Sequence, residues 1–214
     1  MNKAEEWYWS VINELIEYTP WKVEGIFGHL MMGDARDKEY WREIYRSRKY
    51  PCLFYQFLAM ATRKYQYKQY VEIGADRGVS TIMVASEMPA GGKVISIDHC
   101  DGVSYGDNAW KYVPPFMTNI LKMEMDSLDI QKIHDAGIDL SQTDFWLIDG
   151  EHTYQRVRKE CELYKPYWKQ GAVVLFDDLI RIQPAFDELQ YEHKCVEVGH
   201  LHGVNEGSGI IYVT

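Results

Sequence analysis

The sequence predicts an α/β fold: a doubly wound, mostly parallel sheet of seven strands with a helical cap before it. Three observations carry this reading. Short apolar runs bounded by glycine and aspartate recur from residue 69 onward, as strands covered on both faces do. Helically spaced stretches alternate with them, which implies βαβ units and a parallel sheet. Three of the runs stop on acids, at Asp98, at Asp149 and at Asp177–Asp178. Ligands bind outside the carboxyl ends of strands in such sheets.

Bulk properties narrow the field. A chain of 214 residues can bury one good-sized core. A formal net charge of −9 argues against a general nucleic-acid binder, which needs a basic face. The cysteines Cys52, Cys100, Cys161 and Cys195 lie far apart with no C-x-x-C pair, as free thiols of a reducing compartment do. The start "MNKAEEWYWS" lacks the apolar segment of a secretory signal, and no apolar run reaches the ~20 residues of a membrane span. The expectation is a soluble, cytoplasmic protein.

Residues 1–68 read as a helical cap. The first 70 residues hold 16 of the 30 aromatic side chains, so this part packs against something. Trp7, Val11, Leu15 and Tyr18 recur at helical spacing. "GHLMMGD" reads as a loop. "DKEYWREIYRSR" reads as a second helix, and "CLFYQFLAMATRKY" as a third with Pro51 at its start, where a missing N–H costs nothing. The aromatic helices could serve as a cover over a pocket or as a homo-oligomer surface.

Residues 69–214 read as the sheet domain. The predicted order is strand "YVEIG" and helix "STIMVASEM"; strand "KVISID"; strand "NILKMEM" and helix "SLDIQKIHDAG"; strand "FWLID" and helix "TYQRVRKECELYK"; then strand "AVVLF". In the last helix Tyr154, Val157, Cys161, Tyr164 and Trp168 lie at steps of three and four, and Pro166 should loosen its final turn. The tail "CVEVGH…GSGIIYVT" reads as two strands forming a hairpin at one edge. The polar segment 99–118 resists assignment and has the character of a binding loop.

The strand ends carry the chemistry. After the first strand, "VEIGADRGVST" places Glu72 at the strand's end, Gly74 and Gly78 around a tight turn, and Ser80 where it can cap the next helix. Glycine lets backbone and ligand approach closely. The spacing is G-x-x-x-G rather than the G-x-G-x-x-G of a dinucleotide site, and Glu72 and Asp76 disfavour a phosphate there. Asp98 follows Gly74 at a distance suited to a ribose diol. If the strands ending at Asp149 and at Asp177–Asp178 are neighbours, ~4.8 Å apart, their carboxylates crowd together. One must then hold a proton, or a hard divalent cation must bind. Magnesium fits best, with manganese or calcium as alternatives. His152, at the same rim, is a candidate general base or a residue that merely caps or packs. His200 and His202 read as surface residues.

These motifs resemble those of class I S-adenosylmethionine-dependent methyltransferases, whose sheet is Rossmann-like. "VEIGADRGVST" is similar to their first motif and "ISID" to their ribose-binding strand end. "DFWLIDGEHTYQRVRKECELYKPYWKQGAVVLFDD" resembles the corresponding segment of metal-dependent O-methyltransferases. These include the catechol and caffeoyl-CoA type and, closer in pattern, the macrocin and mycinamicin sugar type with the cephalosporin-hydroxylase-like group. The resemblance spans about residues 69–178. It implies that Glu72 and Gly74, with Gly78, Ser80 and Asp149 nearby, hold the methionine part of S-adenosylmethionine. Asp98, with His99 beside it, would hold the ribose, and Asp126 and Ser127 the adenine. Asp149, Asp177 and Asp178 would bind Mg²⁺, or Mn²⁺ or Ca²⁺, and His152 would act as base on a small-molecule hydroxyl. Two departures stand out: Gln170-Gly171 replaces a glycine pair, and an Asp-Asp pair closes the fifth strand. Other readings stay open: a nicotinamide-dependent oxidoreductase, a cofactor-binding protein without turnover, and a metal-dependent hydrolase.

Overall fold

The computed structural model describes residues 1–17, 53–99, 110, 113–197 and 207–214. Seven strands form one sheet: β1 (Gln69–Ile73), β2 (Lys93–Asp98), β3 (Ile120–Glu124), β4 (Phe145–Ile148), β5 (Val173–Phe176), β6 (Lys194–Glu197) and β7 (Ser208–Tyr212). Their spatial order is β3-β2-β1-β4-β5-β7-β6. β1 to β5 pair in parallel. β7 runs antiparallel between β5 and β6, so the expected edge hairpin is present. The order reverses between β1 and β4, the place where a doubly wound sheet opens a ligand crevice.

The apolar runs alternate between two cores, as a period of two dictates. Val71, Ile73, Trp146, Ile148, Val174 and Phe176 face one core. Tyr70, Phe145, Leu147, Val173 and Leu175 face the other. The first core is closed by α4 (Ile130–Asp135), α5 (Tyr154–Tyr164) and α6 (Leu179–Glu188). The second is closed by α1 (Lys3–Glu17), α2 (Leu53–Tyr65) and part of α3 (Val79–Glu87). Edge strand β3 departs from the buried pattern, with Leu121, Lys122 and Glu124 exposed.

α1 and α2 therefore form one of the sheet's own two covering layers. Trp7 shows the reason. It is 2% exposed, packs edge-on against Phe57 of α2 and Phe145 of β4, and donates its indole N–H to the Tyr67 hydroxyl at 2.8 Å. Helical spacing alone could not say which surface this stripe met. The expected second helix and the loop before it, with Leu15 and Tyr18 as core positions, lie outside the described residues and side chains, as does most of the segment 99–118.

Two further differences have local causes. α6 carries Pro184 inside it, a residue that normally argues against a helix, yet Leu179, Ile182 and Phe186 bury one face of it. Its last carbonyls are bound by the Lys194 ammonium, which reaches Phe186 O at 2.5 Å and Leu189 O at 2.9 Å. Pro166, expected to loosen the last turn of the helix, instead lies in a tighter 3₁₀ turn over Lys165–Tyr167 that follows α5. Among the described residues no helix is long and apolar enough to cross a membrane.

Replacing Trp7 with alanine should lower the free energy of unfolding by ~3–5 kcal/mol in a single transition, read by urea denaturation with far-UV circular dichroism. A small separate transition, with the main midpoint unmoved, would mean that α1 is an independent cover.

Candidate active site

The carboxyl ends of the central strands are level. Met125 N donates to Asp98 O at 2.9 Å, Gly74 N to Ile97 O at 2.9 Å, Asp149 N to Ile73 O at 2.8 Å and Asp177 N to Ile148 O at 3.1 Å. The ladder thus runs past the strands themselves, and the acids that follow them share one rim.

At the centre of the rim is the glycine turn. Gly74 has φ +89°, and a Cβ there would sit 1.9 Å from the Asp149 carbonyl oxygen. Only glycine allows β1 and β4 to leave the sheet this close together. Gly78, at φ +83°, is the N-cap of α3. The expectation that Ser80 caps this helix is corrected: the left-handed Gly78 starts the helix earlier, and Ser80 lies buried in its first turn. Asp98 binds the turn from the side, its Oδ2 accepting from Ala75 N at 2.8 Å and Asp76 N at 2.9 Å. His99 beside it is exposed.

Glu72 lies beneath this turn rather than in the crevice. It is fully buried. Its carboxylate accepts from Ser96 Oγ at 2.5 Å, from Tyr70 OH at 3.2 Å, and from the hydroxyls of Thr81 and Ser80. Burial pushes its pKa up, and the hydroxyls pull it back. Trp110 extends the network by donating Nε1–H to Ser96 Oγ at 2.6 Å. Glu72 therefore joins β1, β2 and α3 under the site.

Asp149, Asp177, Asp178 and His152 gather on the far side of the turn. Asp178 adopts a left-handed conformation, φ +49°, at the start of α6, which asparagine and aspartate tolerate best after glycine. His152 Nε2 lies 3.5 Å from Asp178 Oδ2 and 3.7 Å from Asp149 Oδ1. His152 precedes the α5 cap residue Thr153, whose hydroxyl accepts from Arg156 N. It is thus a loop residue aimed at the acids, neither a cap nor a helix position. The Asp149 pKa is raised well above the carboxylate range, first by burial, then by the charges of Asp177, Glu72 and Asp178, and by a hydrogen bond shared with Asp177. Burial and the neighbouring acids thus both favour the neutral form of Asp149.

Carboxylates with an imidazole and no thiol beside them suit a hard cation such as Mg²⁺. Among the described residues, however, no three such side chains are arranged to hold a metal ion. Asp149, Asp177 and Asp178 share the rim without forming a preformed cage. The chemistry of the donor set fits a cation.

The sequence profile of a family described as "methyltransferase domain" matches residues 71–179, just over half of the 214 residues. The chain belongs to this methyltransferase family. Solved structures with the same fold include the O-methyltransferase TomG of Streptomyces achromogenes, involved in tomaymycin synthesis and bound to SAM. It has a TM-score of 0.61 and 16% identity over 100% of both chains. Another is an O-methyltransferase of Bacillus cereus bound to SAH, with a TM-score of 0.65 and 16% identity, covering 94% of this chain and 100% of that one. No curated protein matches the sequence.

At the outer end of the methyltransferase rim, Asp126 and Ser127 sit where β3 leads into α4, but their partners were not foreseen. Arg156 of α5 binds the Asp126 carboxylate and donates to Ser127 Oγ at 2.7 Å and to Glu160 Oε1 at 3.0 Å. Ser127 Oγ donates to Glu160 Oε1 at 2.5 Å. The Arg156–Glu160 spacing of four on one helix was the available signal. It reads as an ordinary surface pair until the fold places Glu160 in the core, 0% exposed.

Gly74→Ala combines a positive φ with a backbone clash. It should cost more than ~3 kcal/mol, read as a fall in the thermal midpoint or as loss of soluble protein. Gly171→Ala, also at positive φ but with nothing within 4 Å of the added carbon, should cost only about 1 kcal/mol.

Proposed function

We propose that this methyltransferase moves the methyl group of S-adenosylmethionine onto a hydroxyl oxygen of a small molecule, with His152 as base and with a divalent cation at the aspartate rim. The observation that carries the reading is the meeting, at the switch point, of the glycine turn with Asp149, Asp178 and the His152 imidazole, whose Nε2 lies 3.7 and 3.5 Å from the two carboxylates. A strongly perturbed carboxyl in a crevice is a functional-site signature. Family membership supports methyl transfer. The SAM and SAH bound by the two structural neighbours support the choice of donor.

The reaction needs little from the protein. A bond forms between the acceptor oxygen and the methyl carbon as the bond from that carbon to sulfur breaks. The sulfonium becomes a neutral thioether, and the hydroxyl proton must leave. Holding donor and acceptor in line can lower the barrier by ~7–11 kcal/mol. In this reading the glycine turn admits the methionine end of the donor and Asp98 faces the ribose. His152 Nε2 takes the proton, and the resulting imidazolium faces the Asp178 carboxylate at 3.5 Å. Asp149, Asp177 and Asp178 would hold the cation, which when bound supplies Lewis acidity toward the acceptor hydroxyl. A vicinal diol, as in a catechol or sugar, presents two oxygens suited to that role.

Asp177→Ala should abolish methyl transfer while S-adenosylhomocysteine still binds, and excess chelator should silence the unaltered enzyme. Turnover that persists unchanged in the variant and in chelator would refute the cation. Separately, His152→Ala should reduce kcat by about 10²–10⁴ with little change in the KM for S-adenosylmethionine. An equal fall in donor affinity would mean that His152 binds rather than catalyses.

A further inference from the structure

We propose that Arg156 is a positioning residue for the nucleoside end of the cofactor, acting through Asp126; this rests on the donor assigned above. Its guanidinium has one end in the core and one at the rim. Nε donates to Glu160, which is 0% exposed, and the terminal nitrogen also reaches Ser127, 4% exposed. Tyr164 OH braces the same corner by donating to Ser127 O at 2.5 Å. The remaining contact is to Asp126, whose side chain stays 46% exposed.

Asp126 follows Met125, whose N–H is bound by Asp98 O. It therefore lies one strand outward from Asp98. A donor with its sulfur over the glycine turn and its ribose at Asp98 carries its base in this direction. Among the described residues, the two hydrogen bonds that Asp126 receives, from Arg156 and from Leu128 N at 2.9 Å, both go to Oδ1. They fix the carboxylate plane and leave Oδ2 to accept from a donor such as the amino group of a purine. A planar guanidinium held by its own anion can set that plane, and an ammonium cannot.

The alternative is that Arg156 is only the counterion of Glu160. Calorimetry with two ligands separates the roles: S-adenosylhomocysteine, and S-inosylhomocysteine, which has a carbonyl in place of the amino group. The unaltered protein should prefer the amino form. R156A should weaken its binding by about tenfold or more and erase most of the preference, and R156K, which keeps the charge without the planar fork, should not restore the preference. R158A, on the same helix in an exposed pair with Glu162, should match the unaltered protein. If R156A loses thermal stability but keeps both affinity and preference, Arg156 is a counterion and the proposal fails. Should R156A not fold, D126N must lose the preference with Arg156 intact; retention overturns the proposal. If the unaltered protein binds neither ligand, the donor assignment itself falls, and this inference with it.

Discussion

A carboxylate taken out of water costs several kcal/mol unless hydrogen bonds or opposite charge replace its hydration. Three such groups stand behind the carboxyl edge of this sheet, and each is treated differently. Glu72 is surrounded by hydroxyls from β1, β2 and α3. Glu160 is met by Ser127 and the Arg156 guanidinium. Asp149 has the His152 imidazole 3.7 Å away and no guanidinium or hydroxyl among the described partners, while Asp177, Glu72 and Asp178 all raise its pKa. The first two solutions are complete within the chain and hold secondary elements together. The third is completed only by a proton or by something that binds. That difference separates scaffold from site.

The scaffold explains why the difference can persist. Strands β1, β4 and β5 are buried on both faces, so their ends cannot slide apart to relieve the crowding. Glycine at position 74 lets the segments leaving β1 and β4 come within contact, and α1 and α2 press the sheet from the opposite side to α4, α5 and α6. A packed interior resists such relaxation. The repulsion among the acids is therefore retained as a raised pKa.

Much of this was legible in one dimension. Runs such as "VVLF" and "FWLI" are too apolar and too short for anything but strands of a covered sheet, and both are strands with four buried residues. Helix α5 was legible because Val157, Cys161 and Tyr164 keep a strict spacing. Helix α6 was not, because Pro184 interrupts the local signal and burial of Ile182 and Phe186 outweighs it. The inward placement of Glu72 was not legible for a related reason: an acid at a strand end looks like a ligand-facing residue, and only the positions of Thr81 and Ser96 turn it inward.

By itself the sequence determined the alternation of strands and helices, the parallel sheet and the acids at its edge, because these follow from local periodicity and from where apolar runs must stop. The tertiary structure alone decided that α1 and α2 cover the sheet, that Ser127, Arg156 and Glu160 form one cluster, and that His152 meets Asp149 and Asp178 at one rim. Each depends on distances between residues remote in the chain. Electrostatics and packing act through space, and a string of residues does not contain those distances.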